Sequence, residues 1–306
     1  MSALNCLRYL MGFLLIVLRH QTSSLASSTN TNFQKDTCVS VPQGADNPSR
    51  SSVASPAPEK TGGLTGGLTG GKRGLAYNDA SLTYLFANQS SVSWGYNWAP
   101  FANGSLPSNL EFIPTLWGLG DDATSSWFTQ ASSAISYGSK HLFSFNEPDI
   151  ATQANLTASE AADGFIQYMN PFHDQAELAT PSVTNGLGDS LGLEWLSSFF
   201  DACAGRCLVD AVNIHWYGSA VDTSDFQAFV SNASALATEN GVGTLWITEL
   251  RGNGGTDQQL QFLETVLPWL DGNDDVSGYA WFMCAAGDGN LVSSSGVVSA
   301  LGQLYG

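Results

Sequence analysis

Two glutamates in this sequence occupy matching positions, and paired carboxylates are chemistry. Glu147 follows His141-Leu142-Phe143-Ser144-Phe145-Asn146, and Glu249 follows Leu245-Trp246-Ile247-Thr248. Each closes an apolar run of strand length, where an acid is disfavoured unless a partner or a function holds it. Either one alone reads equally well as a surface acid, or as an acid paired with Arg251. Two acids at equivalent strand ends point instead to an acid/base and a nucleophile. Carboxyls about 5 Å apart suit retaining glycoside hydrolysis, and wider spacing leaves room for an inverting water. The other residues at strand ends are those a sugar needs. Asn97, Asn146, His215 and Tyr217 can exchange hydrogen bonds with hydroxyls, and Trp94, Trp117 and Trp281 offer rings to the apolar faces of sugars. His215 reads equally as a satisfied interior histidine.

Eight short β-branched and aromatic runs must position these groups. They are 74–77, 92–96, 112–117, 141–145, 177–180, 212–216, 245–248 and 278–282. Helical patterns lie between several of them. Thr157 to Glu160 reads as a capping box before Ala162, Phe165, Ile166 and Met169, which share one helix face. Residues 222–240 repeat Phe226, Phe229, Val230, Ala233 and Ala237 at helical spacing, with Gly241 as the stop. Thr256 to Gln259 reads as a second capping box.

Such alternation over residues 72–306 predicts an α/β fold, a single (β/α)8 TIM barrel, which typically takes ~250 residues. A doubly wound sheet would want a glycine-rich turn after the first strand, and Tyr77-Asn78-Asp79 is not one. In a barrel the fourth and seventh strands face each other across the lumen, so Glu147 and Glu249 can approach. In the sixth run Val212, Ile214 and Trp216 alternate with Asn213, His215 and Tyr217, which sends the polar set inward. Asn146 and Glu147 are neighbours that both need to face the site, and a bulge there would allow it.

Acidic residues outnumber basic ones 27 to 10 and the net charge is −17, which excludes nucleic acid as a partner and suits a neutral polymer. Arg8 before the apolar run 9–18, with small residues at 24–26, reads as a secretory signal peptide spanning 1–26. Ten apolar residues are too few to cross a bilayer, so no membrane attachment is expected after its removal. Residues 27–71 are rich in Ser, Thr, Pro and Gly and read as a disordered linker, ending in Thr-Gly-Gly-Leu repeats. The expected location is extracellular or in a cell wall. Asn88, Asn103, Asn155 and Asn232 head glycosylation triplets, as a secreted chain would use. Cys203 and Cys207 have the spacing of a local disulfide; a zinc site lacks a nearby histidine to complete it. Cys284 lies in an apolar run as a free thiol, and Cys38 has no evident partner.

The segments Lys72–Asp79 (KRGLAYND), Trp94–Trp98 (WGYNW), Pro114–Gly118 (PTLWG), Phe145–Asp149 (FNEPD), Val212–Gly218 (VNIHWYG) and Trp246–Leu250 (WITEL) resemble glycoside hydrolase family 128, which includes fungal alkali-sensitive-linkage-like cell-wall proteins. The resemblance runs from Lys72 to the C-terminus, with its motifs in barrel order. It implies a retaining endo-β-1,3-glucanase that acts on β-1,3-glucan polysaccharide or oligosaccharide; a monomer is expected, and double displacement by two carboxyls needs no metal or organic cofactor. It makes Glu147 the general acid/base and Glu249 the nucleophile. Asn146 then holds the sugar 2-hydroxyl, Tyr217 orients the nucleophile, and Trp94, Trp117 and Trp281 line subsites. It also implies a Cys203–Cys207 disulfide. Two other readings remain: a non-catalytic β-glucan-binding wall protein, and a β-mannanase or β-1,4-glucanase of the same clan.

Overall fold

The computed structural model describes residue 68 and residues 70–306. The signal-peptide segment 1–26, nearly all of the linker 27–71 and Cys38 lie outside the described residues. Among the described residues no helix is long and apolar enough to cross a membrane.

All eight expected runs are strands: β1 Arg73–Tyr77, β2 Val92–Tyr96, β3 Glu111–Phe112, β4 His141–Leu142, β5 Glu177–Val183, β6 Ala211–Ser219, β7 Thr244–Asn253 and β8 Val276–Cys284. Neighbours pair in parallel in the order β3-β2-β1-β8-β7-β6-β5-β4. β3 and β4 are shorter than their apolar runs suggest, yet the chain just beyond them joins the two edges of the sheet. Leu116 N donates to Phe143 O, and Phe143 N donates to Pro114 O, each at 3.0 Å. Eight parallel strands curled in this way form the framework of a (β/α)8 fold.

Strand–helix alternation is less regular than the sequence suggests. β1 is followed by a 3-10 segment, Ala80–Phe86. No helix separates β2 from β3, where Pro100, Pro107 and the left-handed Asn103 (φ 49°) oppose one. Beyond β4 the three helices legible in the sequence all form, and Gly192–Cys203 adds one that the patterns did not give. Ala158–Tyr168 begins with the Thr157–Glu160 capping box, and Thr223–Glu239 is capped by the Asp222 side chain. The helix Thr256–Asp271 starts one residue earlier than its pattern implies. Gly255 is the cap, and its N–H donates to Gln258 Oε1.

Two aromatic layers fix the barrel. Outside, Trp216 stacks on Phe262 (5.5 Å, interplanar angle 6°) and meets Phe226 edge-on, joining β6 to two helices. Inside, Trp94 packs edge-on against Trp246 and Phe143 at 5.1 and 5.8 Å. Strands β1 and β8 make room for these indoles with glycine. A Cβ at Gly74 would lie 2.1 Å from Trp94, and one at Gly278 would lie 2.4 Å from Trp246. A ring held this way is lumen filling, so Trp94, fully buried, is not the subsite wall that the sequence suggested.

At the opposite end from the glutamates, buried His141 on β4 bridges Glu111 on β3 (2.8 Å) and Glu177 on β5 (2.9 Å). Burial alone would lower its pKa, but the hydrogen bonds to Glu111 and Glu177 outweigh burial and lift it to about 9. This contribution to stability is complete below the ordinary histidine value near 6.5. It declines from there until the pH has passed about 9, because over that range the folded state keeps a proton that the unfolded state has lost. Thermal unfolding measured between pH 6 and 10 should show a loss on the order of 3 kcal/mol. A His141→Gln variant should lack that slope, and an equal slope in both proteins would contradict the assignment.

Candidate active site

The site lies just beyond β4 and along the middle of β6 and β7. Along β7, Trp246 points into the lumen and Ile247 points out. Strict alternation would then send either Thr248 or Glu249 outward. The pairing slips between Ile247 and Leu250 against β8, and between Ile214 and His215 of β6. These irregularities let both side chains face inward. Thr248 Oγ1 reaches His215 and Asn213, while Glu249 reaches Tyr217 and Trp98.

Beyond β4 a different device does the same for Asn146 and Glu147. The bulge expected there is replaced by left-handed backbone at Glu147 (φ 43°). Its N–H donates to Ser182 O at 2.8 Å, and Asn146 N–H donates to Trp117 O at 2.9 Å. A non-glycine residue in this region is strained, and such strain gathers at functional sites. Asp149 ties the turn down. Its carboxylate accepts from Thr184 N and Oγ1 and from Gly192 N. The Asp in Phe-Asn-Glu-Pro-Asp is therefore the anchor that holds Glu147 in place.

Glu147 and Glu249 are 4% and 1% exposed, so both depend on their neighbours for polar partners. Glu249 Oε1 accepts from Trp98 Nε1 at 2.8 Å, and Oε2 accepts from the Tyr217 hydroxyl. His215 Nδ1 lies 3.0 Å from Glu147 Oε1 and 3.6 Å from Glu249 Oε1. Ligand atoms of Glu147, His215 and Glu249 all fall within 4.8 Å of one another. That spacing alone would admit a metal ion. The three side chains are also engaged with the protein itself: both Glu249 oxygens receive N–H or O–H groups, and His215 Nε2 is held by Thr248.

Burial raises the Glu249 carboxyl above its ordinary value, and the charge of Glu147 adds to this. The charge on His215 and the Tyr217 and Trp98 donors oppose it. Burial lowers the His215 pKa against the charges of Glu249 and Asp149. The Tyr217 hydroxyl is held well above its ordinary value, chiefly by burial, so it remains a donor.

The structure sorts the remaining expected contacts. Trp117 is half-buried beside Asn146, and Asn146 sits next to Glu147 with Nδ2 3.4 Å from Gln153 Oε1. The Tyr217 hydroxyl donates to Glu249 Oε2. His215 is fully buried with both ring nitrogens engaged, so it supports the carboxyls from behind and does not meet a sugar. Asn97 spends its side chain on its own loop, donating to Phe101 O and accepting from Ala99 N. Trp281 is fully buried, packed against helix residue Phe262 and donating to Gly289 O, so it lines no subsite. Cys203 and Cys207 form a disulfide, and Cys284 is a buried free thiol.

Two contacts with the carboxyl pair were not expected from the sequence: that of Trp98, a strand-end position in the Trp94–Trp98 motif, with Glu249, and the packing of Phe282 beside it. Trp98 adopts left-handed backbone (φ 59°) just past β2, which turns its indole onto Glu249. Phe282 packs on Trp98 and Tyr217 at 6.0 and 5.6 Å. The signal for Trp98 was present, since it stands two residues beyond a strand end, where barrel sites form. A Tyr217→Phe variant removes a donor that favours ionised Glu249. Carboxyl-carbon NMR should show Glu249 titrating at higher pH in that variant. An unchanged or lowered titration would contradict the arrangement.

The comparisons agree with this geometry. Residues 74–305 match the family model described as glycosyl hydrolase catalytic core. A comparison with curated proteins finds no match. Among solved structures, the chain is similar to a curdlan-specific exo-β-1,3-glucanase of glycoside hydrolase family 128, subgroup III, from Blastomyces gilchristii, in complex with glucose. The identity is 42%, covering 76% of this chain and 97% of that one, with a TM-score of 0.72. It is also similar to a subgroup IV endo-β-1,3-glucanase from Lentinula edodes: 30% identity, 77% and 99% coverage, TM-score 0.66. A subgroup I endo-β-1,3-glucanase from Amycolatopsis mediterranei, in complex with laminaritriose, shares 26% identity over 77% and 98% of the chains, TM-score 0.64. With 42% and 30% identity to family 128 enzymes over nearly their whole length, the chain belongs to glycoside hydrolase family 128.

Proposed function

We propose that this protein is a retaining β-1,3-glucanase in which Glu147 is the acid/base and Glu249 the nucleophile. The observation that carries this reading is the pair of buried carboxyls whose oxygens approach within 4.8 Å. An approach this close suits direct attack by a carboxylate, whereas an inverting pair stands wider apart to admit a water. Glu147 donates its proton to the glycosidic oxygen while Glu249 attacks the anomeric carbon and the C–O bond breaks. Glu147 then takes a proton from water, the water oxygen attacks the same carbon, and Glu249 leaves. The Tyr217 and Trp98 donors keep Glu249 an oxyanion in a site from which bulk water is largely excluded.

β-1,3-Glucan is the substrate that the similar structures act on, and a neutral polymer suits a chain of net charge −17. The endo-acting relatives support internal cleavage. A second reading, release from chain ends, is favoured by the 42% identity to an exo-acting enzyme. Action outside the cell, as a monomer, completes the proposal. Its support is the signal-like N-terminal sequence, the disulfide, and the exposed positions of Asn88, Asn103, Asn155 and Asn232, where glycans can be carried.

The test is product analysis on linear β-1,3-glucan, β-1,4-glucan and mannan. Mixed short oligosaccharides from the β-1,3 polymer alone indicate internal cleavage, and glucose alone indicates chain-end release. The Glu249→Gln variant should lose at least about 1,000-fold in turnover while retaining binding. Near-full activity in that variant would overturn the nucleophile assignment. Binding without any release of sugar by the wild type would favour the non-catalytic reading.

A further inference from the structure

Behind Glu147 lies a buried chain of hydrogen bonds with a definite direction. Asn213 Oδ1 can only accept. It lies 2.9 Å from Thr248 Oγ1, so the threonine proton points to Asn213. Thr248 Oγ1 is then left with lone pairs for His215 Nε2, also 2.9 Å away. His215 Nε2 must therefore carry a hydrogen. If the ring is neutral, Nδ1 is bare, and it faces Glu147 Oε1 at 3.0 Å. A bare nitrogen repels a carboxylate and attracts a carboxylic acid.

We propose that Thr248 and Asn213 are positioning residues that lock His215 as its Nε2–H tautomer, so that Glu147 is held protonated in the resting enzyme. Neither residue touches substrate; both act through His215. The inference rests on the acid/base role given to Glu147 above, and it deepens that role. In the first step the lock keeps the acid loaded. In the second, the bare nitrogen disfavours Glu147 as an anion and strengthens its pull on the proton of water. Burial, which lowers the His215 pKa, keeps the ring neutral and agrees with this arrangement. The titratable groups around Glu147 are His215 on β6, Glu249 on β7, Tyr217 on β6, Tyr96 on β2 and Asp149 beyond β4. Glu249 as an anion also favours protonated Glu147, so the relay adds to a shift that charge repulsion begins.

Thr248→Val removes the only acceptor shown for Nε2–H. The ring is then free to put its hydrogen on Nδ1 and donate it to the Glu147 carboxylate, which stabilises the ionised acid. The alkaline limb of kcat should move down by about one pH unit, which is about tenfold in activity at any pH above the limb. Thr248→Ser keeps the hydroxyl and should restore the wild-type limb. An unmoved limb in Thr248→Val, or an equal shift in Thr248→Ser, would overturn the proposal. A second measurement needs no substrate. Nitrogen-15 NMR of ring-labelled full-length protein, with His215 assigned by a His215→Gln control, should show a neutral ring protonated at Nε2. A ring protonated at Nδ1, or at both nitrogens, between pH 5 and 7 would overturn it. Because the tautomer is read without turnover, this result stands apart from whether the enzyme cleaves β-1,3-glucan.

Discussion

Two carboxyl groups withdrawn from water and held within 4.8 Å of each other are unfavourable on their own, through desolvation and mutual repulsion. The surroundings of Glu147 and Glu249 follow from that constraint. Glu249 receives two donors, Trp98 and Tyr217, and so is the better suited of the two to remain an anion. Glu147 Oε1 faces His215 Nδ1, in a ring whose other nitrogen is engaged by Thr248. Equal chemistry thus acquires unequal roles from its neighbours, which is how one fold runs acid and nucleophile side by side. Those neighbours come from β2, β6 and β7, so the asymmetry exists only when the barrel is assembled.

The barrel supplies rigidity from below. Trp94, Trp246 and Phe143 fill the lumen beneath the carboxyls, in space that Gly74 and Gly278 leave open. Tyr96, packed against the same group, reaches up to donate to Thr248 O, so the floor is bonded to the strand that carries the nucleophile. The strained Glu147 backbone is held in turn by its bond to Ser182 and by the Asp149 anchor. Strain at one residue persists because several other bonds determine its position.

Much of this was legible in the sequence, because periodicity and strand-end position are local signals. All eight strands, the Thr157 and Asp222 helix starts, the inward set Asn213, His215 and Tyr217, and the two glutamates follow from spacing alone. The aromatic residues were harder. Trp94 and Trp281 lie within strands and Trp98 just past one, and composition does not say which face of the barrel an indole takes. Trp94 went into the lumen because Gly74 opposes it, Trp281 went outward toward Phe262, and Trp98 turned onto Glu249 through a left-handed backbone. Each outcome depends on a residue distant in sequence or on one backbone angle. The inward pairing of Thr248 with Glu249 was hidden for a similar reason, since a register slip is a property of two strands together.

The central claim is that these two carboxyls act by double displacement, and the stereochemistry of the first product tests it most directly. Proton NMR during the first minutes of hydrolysis of a β-1,3-linked glucan should show the new reducing end appearing as the β-anomer, with the α-anomer growing in only as mutarotation proceeds. The α-anomer appearing first would mean a single inverting displacement, and would contradict a nucleophilic Glu249.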